Sequence, residues 1–239
     1  MALSILHRVT GCALSVGLLL FVYWLIAAAS GRTMYYQARD FFGHPLVRVM
    51  LIGLSFAFFY HLLNGVRHMT WDTGHGLERR PARLSGWIVF LGAIATTALF
   101  WLLIARHFGG AMSLRSPIGR VLGLGAAKEG VSHWWSQRVT SVALLLLGLW
   151  FVASLLRMPN FGYEVVVTWI AMPVNAVLLL LLIATLVYHS QLGVQVVVED
   201  YVHHHGLKIA TMMLLTFAHV AVAALAIFAV LRIAFGGIA

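Results

Sequence analysis

Residues 49 to 72 read VMLIGLSFAFFYHLLNGVRHMTWD. An apolar run with no charge at its centre leads into His61-x-x-x-Gly65 and ends at Asp72. Crossing the hydrocarbon of a bilayer takes about 20 mostly apolar residues, and residues 47 to 66 supply them. Five other stretches do the same, roughly residues 9 to 30, 85 to 108, 139 to 157, 165 to 189 and 209 to 234. Backbone groups in lipid must be satisfied within the segment, so all six are expected to be helices. Pro173, early in the fifth, is expected to kink it. Only 10 % of the 239 residues are charged and 62 % are hydrophobic, where a soluble domain carries about 25 % charge. The fold class is all-α and transmembrane, and the bilayer is the first partner.

The ending of that stretch occurs twice. His189-x-x-x-Gly193 closes the fifth apolar run, and Asp200 follows His189 by the same spacing that separates Asp72 from His61. Arg8-Val9-Thr10 opens the first run and Arg138-Val139-Thr140 opens the fourth. Three matches in one order make a repeat. The chain divides into two related three-helix units, residues 1–111 and 112–239, forming one bundle.

Composition also excludes. Cys12 is the one cysteine, so this chain alone holds no disulfide framework, multi-Cys zinc site or iron–sulfur cluster. No P-loop or strand-linked GxGxxG is present, so nothing points to nucleotide or flavin binding. Any electrons used here arrive from another polypeptide. The net charge of +9 is concentrated in short segments between apolar runs. That pattern fixes membrane orientation and argues against a nucleic-acid partner.

A histidine inside a spanning segment is costly and usually functional. A single one, such as His219, is better read as hydrogen-bonded to a neighbouring helix. Two at equivalent repeat positions weigh differently. At 3.6 residues per turn, offsets of four and eleven return to within about 40° and 20° of the start. Histidine, glycine and aspartate therefore share one face, and His68 joins it. Gly65 and Gly193 remove the side chain that would block a flat macrocycle. Neutral imidazole is a standard axial ligand of haem iron, so His61 and His189, meeting in a bundle, would form a bis-histidine haem b site. His7, Arg8, His68 and Arg138 lie at helix ends, within reach of its propionates. Their competing role is interfacial anchoring.

Ser4-Ile5-Leu6-His7-Arg8-Val9-Thr10-Gly11, with His61-x-x-x-Gly65-x-Arg67-His68-x-x-x-Asp72, resembles the cytochrome b subunit of succinate dehydrogenase. Gly130-Val131-Ser132-His133-Trp134-Trp135-Ser136-Gln137-Arg138-Val139-Thr140, with His189-x-x-x-Gly193-x-Gln195-x-x-x-Glu199-Asp200-Tyr201-Val202, resembles the small hydrophobic anchor subunit of that complex. The resemblance covers nearly the whole chain. It implies a non-flavin membrane subunit in a bacterial cytoplasmic (inner) membrane or a mitochondrial inner membrane. Its implied partners are a flavoprotein subunit that oxidises succinate and an iron–sulfur subunit that passes electrons to ubiquinone. The haem ligands match His61 and His189. The quinone site matches Ser4, Arg8 and Tyr201, with Asp200 beside Tyr201 to tune it. Trp134 and Trp135 read mainly as belt or subunit-contact residues, and His203-His204-His205 as a solvated loop. Whether complexes associate as trimers is left open. Family members carry a longer polar segment ahead of the Ser4 motif, so an upstream start, missed or removed, is an expectation.

One conflict follows from the repeat. Three helices carry a continuous chain across the membrane, so the second unit would run inverted and put His61 and His189 in opposite leaflets. Placing both N-termini inside puts ten of the 16 lysines and arginines inside, against seven for continuous threading. To allow that, residues 109 to 130 would have to cross back. They carry Arg115, Arg120, Lys128 and Glu129, each costing about 2.5–3.5 kcal/mol at mid-bilayer. The continuity is therefore expected not to be physiological, with Met112-Ser113-Leu114-Arg115 beginning a second gene product. Two rival readings remain: a small inverted-repeat proton-coupled transporter, and a purely structural anchor without haem. Against the transporter, the repeated faces sit near helix ends rather than at a broken midplane helix.

Overall fold

A computed structural model describes residues 2–107 and 130–236. The described residues form α1 (Ala2–Ala29), α2 (Arg32–Gly43), α3 (Pro45–Asp72), α4 (Arg79–His107), α5 (Gly130–Arg157), α6 (Tyr163–Ala171), α7 (Pro173–Tyr201) and α8 (His205–Gly236). All but α2 and α6 are long and apolar enough to cross a membrane, which gives the six expected spans.

Hydropathy marked where lipid lies, not where helices end. α3 runs on to Asp72 and α7 to Tyr201, so each His–Gly–Asp series rides one uninterrupted helix. The fifth stretch, in contrast, is not one kinked helix. α6 stops at Ala171, Met172 is extended (φ −61°, ψ 126°), and Pro173 begins α7. A proline ring disfavours helical backbone in the residue before it, and proline itself fits the first helical turn. The same break occurs between α2 and α3, where His44 (φ −62°, ψ 135°) precedes Pro45. Pro45 and Pro173 therefore belong to the repeat.

α3 and α4 form one antiparallel hairpin and α7 and α8 another. α1 lies against α3, α7 and α8, while α5 lies against α7 and grazes α3 and α4. The first helix of each half thus packs on both halves. Dispersion and close approach hold helices together in lipid, and Ala28, Ala38, Ala93, Ala226 and Ala229 are buried at these contacts. The large core gathers Leu18, Leu25, Tyr35, Ile170, Leu179, Ile183 and Val230. It fills the half of the bundle where α2 and α6 sit. There the Tyr35 hydroxyl donates to the Phe161 carbonyl (2.9 Å), and Arg32 pairs with Glu164. Burial pushes the Tyr35 phenol above its ordinary pKa.

The start of α1, the end of α3, the start of α5 and the end of α7 meet at the other end. Both units therefore run in the same direction. α4 leads away from this end and α5 starts at it. The proposed crossing segment and Met112 lie outside the described residues.

Candidate functional site

The imidazoles of His61 and His189 have ring centroids 6.2 Å apart and planes at 85°. The Nδ1 of each ring has a defined partner. His61 Nδ1 lies 3.3 Å from the His7 carbonyl, which can only accept, so Nδ1 carries the proton. His189 Nδ1 lies 2.8 Å from Thr140 Oγ1. That hydroxyl donates to the Ser136 carbonyl (2.7 Å), so it accepts from His189 Nδ1–H. Both rings are thereby held with Nε2 unprotonated. Gln137 Nε2 sits 3.4 Å from His189 Nε2, as a weak donor. Ligating histidines are oriented in this way, with the second ring nitrogen donating to a neighbour.

His7 stacks on His61 (4.0 Å, 9°), and His68 lies 5.1 Å from His7. Gln137 occupies the position in the second unit that His7 occupies in the first. His7 Nδ1 and Gln137 Oε1 are both buried without a hydrogen-bond partner. A Cβ on Gly65 would meet nothing within 4 Å, and one on Gly193 would meet Gln137 Nε2 at 3.8 Å. Both glycines leave room beside their histidines. Gly11 lies tighter: its Cβ would stand 3.1 Å from His61 Cε1.

Two ion pairs flank the histidines, and each joins the two halves. Arg8 Nη1 lies 2.6 Å from Asp200 Oδ2, and Arg138 Nε lies 2.5 Å from Asp72 Oδ2. The repeat showed both arginines and both aspartates, but not that partners are exchanged between units. The Arg8 guanidinium also stands 5.9 Å from the exposed Tyr201 ring. Ser4 is exposed one turn before Arg8. Of the four residues that the resemblance matches to a quinone site, Arg8 pairs with Asp200 and lies over the ring of Tyr201.

Other residues take structural places. Arg67 donates to Ser85 Oγ (3.0 Å), Asn64 Oδ1 (3.1 Å) and the Ala82 carbonyl (2.8 Å), locking α3 to α4. His219 is hydrogen-bonded to Ser190 on the neighbouring helix, 3.1 Å. Trp134 and Trp135 are partly exposed, and His203, His204 and His205 are exposed. Thr140 and Gln137 were missed as site residues. Their signal was present, since both belong to the second copy of the repeated opening motif.

The family described as succinate dehydrogenase/fumarate reductase transmembrane subunit matches twice, over residues 1–100 and 112–231. The succinate dehydrogenase cytochrome b556 subunit of Rickettsia conorii is 37 % identical over 99 residues, which is 41 % of this chain and 77 % of that protein. The cytochrome b556 subunit of Rickettsia felis is 38 % identical over the same shares. The succinate dehydrogenase hydrophobic membrane anchor subunit of Rickettsia bellii is 35 % identical over 94 residues, 39 % of this chain and 75 % of that protein. No solved structure matches significantly. Six apolar spans and bacterial relatives make this a multi-pass protein of the bacterial inner membrane. With both halves matched, and with the repeated histidine face and ion pair brought to one end of the bundle, the chain belongs to the succinate dehydrogenase/fumarate reductase transmembrane subunit family, as a membrane anchor.

Proposed function

We propose that this anchor binds haem b between His61 and His189 and, with an iron–sulfur subunit, forms the ubiquinone-reduction site of a succinate:quinone oxidoreductase. The observation that carries the reading is the paired imidazoles, 6.2 Å apart and both with Nε2 free of its proton. An imidazole–metal bond is about 2 Å long, so two such bonds plus the ring radii span about 6 Å. The unpartnered His7 Nδ1 and the open face of Gly65 fit a flat group with polar edges. His7, His68, Arg8 and Arg138 stand at that end as propionate partners, Arg138 sharing its guanidinium with Asp72. Bound there, haem supplies a one-electron store.

At the quinone, two electrons from the iron–sulfur subunit and two protons convert the quinone to the quinol. The Tyr201 hydroxyl donates a hydrogen bond to one carbonyl oxygen as negative charge develops on it. Arg8 adds a positive charge that no accessible pH removes, and Asp200 holds that guanidinium in place. Ser4 bonds the second carbonyl. The flavoprotein and iron–sulfur subunits dock at this same end, where the electrons must arrive.

Residues 1–111 and 112–239 form two units, with Met112 starting a second gene product. The separate family matches support this, as do relatives that each cover about two fifths of the chain. The test is purification in mild detergent. A b-type band in the reduced-minus-oxidised spectrum and two copurifying subunits, one with flavin and one with iron–sulfur clusters, are expected. A purified complex with no b-type band would remove the haem assignment.

A further inference from the structure

Next to the histidine pair, a line of polar side chains crosses three helices inside the bilayer. His219 Nδ1 donates to the Leu215 carbonyl (2.8 Å), which leaves Nε2 as an acceptor. Ser190 Oγ lies 3.1 Å from that Nε2 and donates to it. With the Ser190 proton committed, the single Ser15 hydroxyl proton is shared between Ser190 Oγ at 2.8 Å and the Gly11 carbonyl at 3.1 Å. Ser15 stands one turn along α1 from Gly11, the glycine against which His61 packs. Ser190 follows His189 directly on α7. Gln191 adds a bond to Thr216 Oγ1 on α8, 3.3 Å.

Ser190 points about 100° around α7 from His189. It is gripped by α1 on one side and α8 on the other, while Thr140 on α5 grips His189 itself. Rotation of α7 is therefore fixed from three directions, at the level of the ring. Because α1 also carries the surface on which His61 rests, one helix measures the placement of both imidazoles.

We infer that the Ser15–Ser190–His219 hydrogen-bonded chain is a positioning device that sets the separation and mutual angle of the His61 and His189 imidazoles, and that α8 acts on the site through it. This rests on the haem reading above. Hydrogen bonds join these three residues to one another and to neither imidazole, so none of the three is a ligand. They act by holding α7 against α1 through hydrogen bonds in a medium that offers no water to replace them.

The experiment compares the assembled complex carrying Ser190→Ala, His219→Leu, Ser15→Ala or Ser190→Thr with wild type. The readouts are the low-spin ferric electron paramagnetic resonance signal, whose anisotropy follows the angle between axial imidazole planes, and the haem midpoint potential. The first three variants are expected to keep the b-type band while shifting both readouts. Ser190→Thr, which retains the hydroxyl, is expected to restore wild-type values. Signals and potentials identical to wild type in Ser190→Ala and His219→Leu would overturn the inference alone. Loss of the assembled complex in all three would also overturn it, by making the chain an assembly contact. A wild-type complex without a b-type band would overturn the haem reading and this inference together.

Discussion

Arg138 Nε lies 2.5 Å from Asp72 Oδ2, and the equivalent residues of the repeat, Arg8 and Asp200, form the same pair with the halves exchanged. The two pairs differ in setting. Arg138 and Asp72 are 26 % and 28 % exposed, whereas Arg8 and Asp200 are 37 % and 45 % exposed. Asp72→Asn should cost about 1–3 kcal/mol, because the Arg138 guanidinium loses a charged partner where water reaches it poorly. Asp200→Asn should cost under about 1 kcal/mol, yet lower quinone reduction about tenfold by loosening Arg8. Thermal inactivation and steady-state quinone reduction, measured on the same two variants, should rank them in opposite orders.

His61→Ala and His189→Ala should each abolish the b-type absorbance. A normal spectrum in either variant removes that histidine as a ligand.

Thr140→Val keeps the volume of the side chain but removes the acceptor for His189 Nδ1–H. The ring is then free to turn and to protonate the wrong nitrogen. Haem retention during dilution should weaken about tenfold, with the band position nearly unchanged. Retention equal to wild type would show that Thr140 does not orient the ring.

Tyr201→Phe should lower the turnover of quinone reduction about tenfold or more, since one donor to the developing oxyanion is lost. Haem absorbance should be intact, because Tyr201 closes α7 about three helical turns beyond His189. Unchanged turnover in membranes would count against it.

Intact-mass measurement of the purified complex should show this sequence as two separate polypeptides, the second beginning at Met112. A single species near 26.3 kDa would establish one continuous chain.

Much of this was legible in one sequence. Charge scarcity and apolar length gave six spans, the twofold occurrence of Arg-Val-Thr and His-x-x-x-Gly singled out the helix faces that carry His61 and His189, and the distribution of lysine and arginine favoured both halves running in one direction. Pro45 and Pro173 stood in the repeat as well, but their effect is local backbone sterics that hydropathy does not register. The fifth apolar stretch therefore read as one helix when it is two.

By itself, then, the sequence determined what is periodic and local: which segments enter lipid, and which face of each helix carries histidine, glycine and aspartate. Helical geometry and the cost of unsatisfied backbone in hydrocarbon dictate both within a single segment. Only the tertiary structure decided which faces meet. The exchange of arginine–aspartate partners between halves, the hydroxyl of Thr140 on His189, and the Ser15–Ser190–His219 line each join helices far apart in the chain. Such contacts depend on how helices rotate and settle against one another, a property of packing that no spacing along one helix contains.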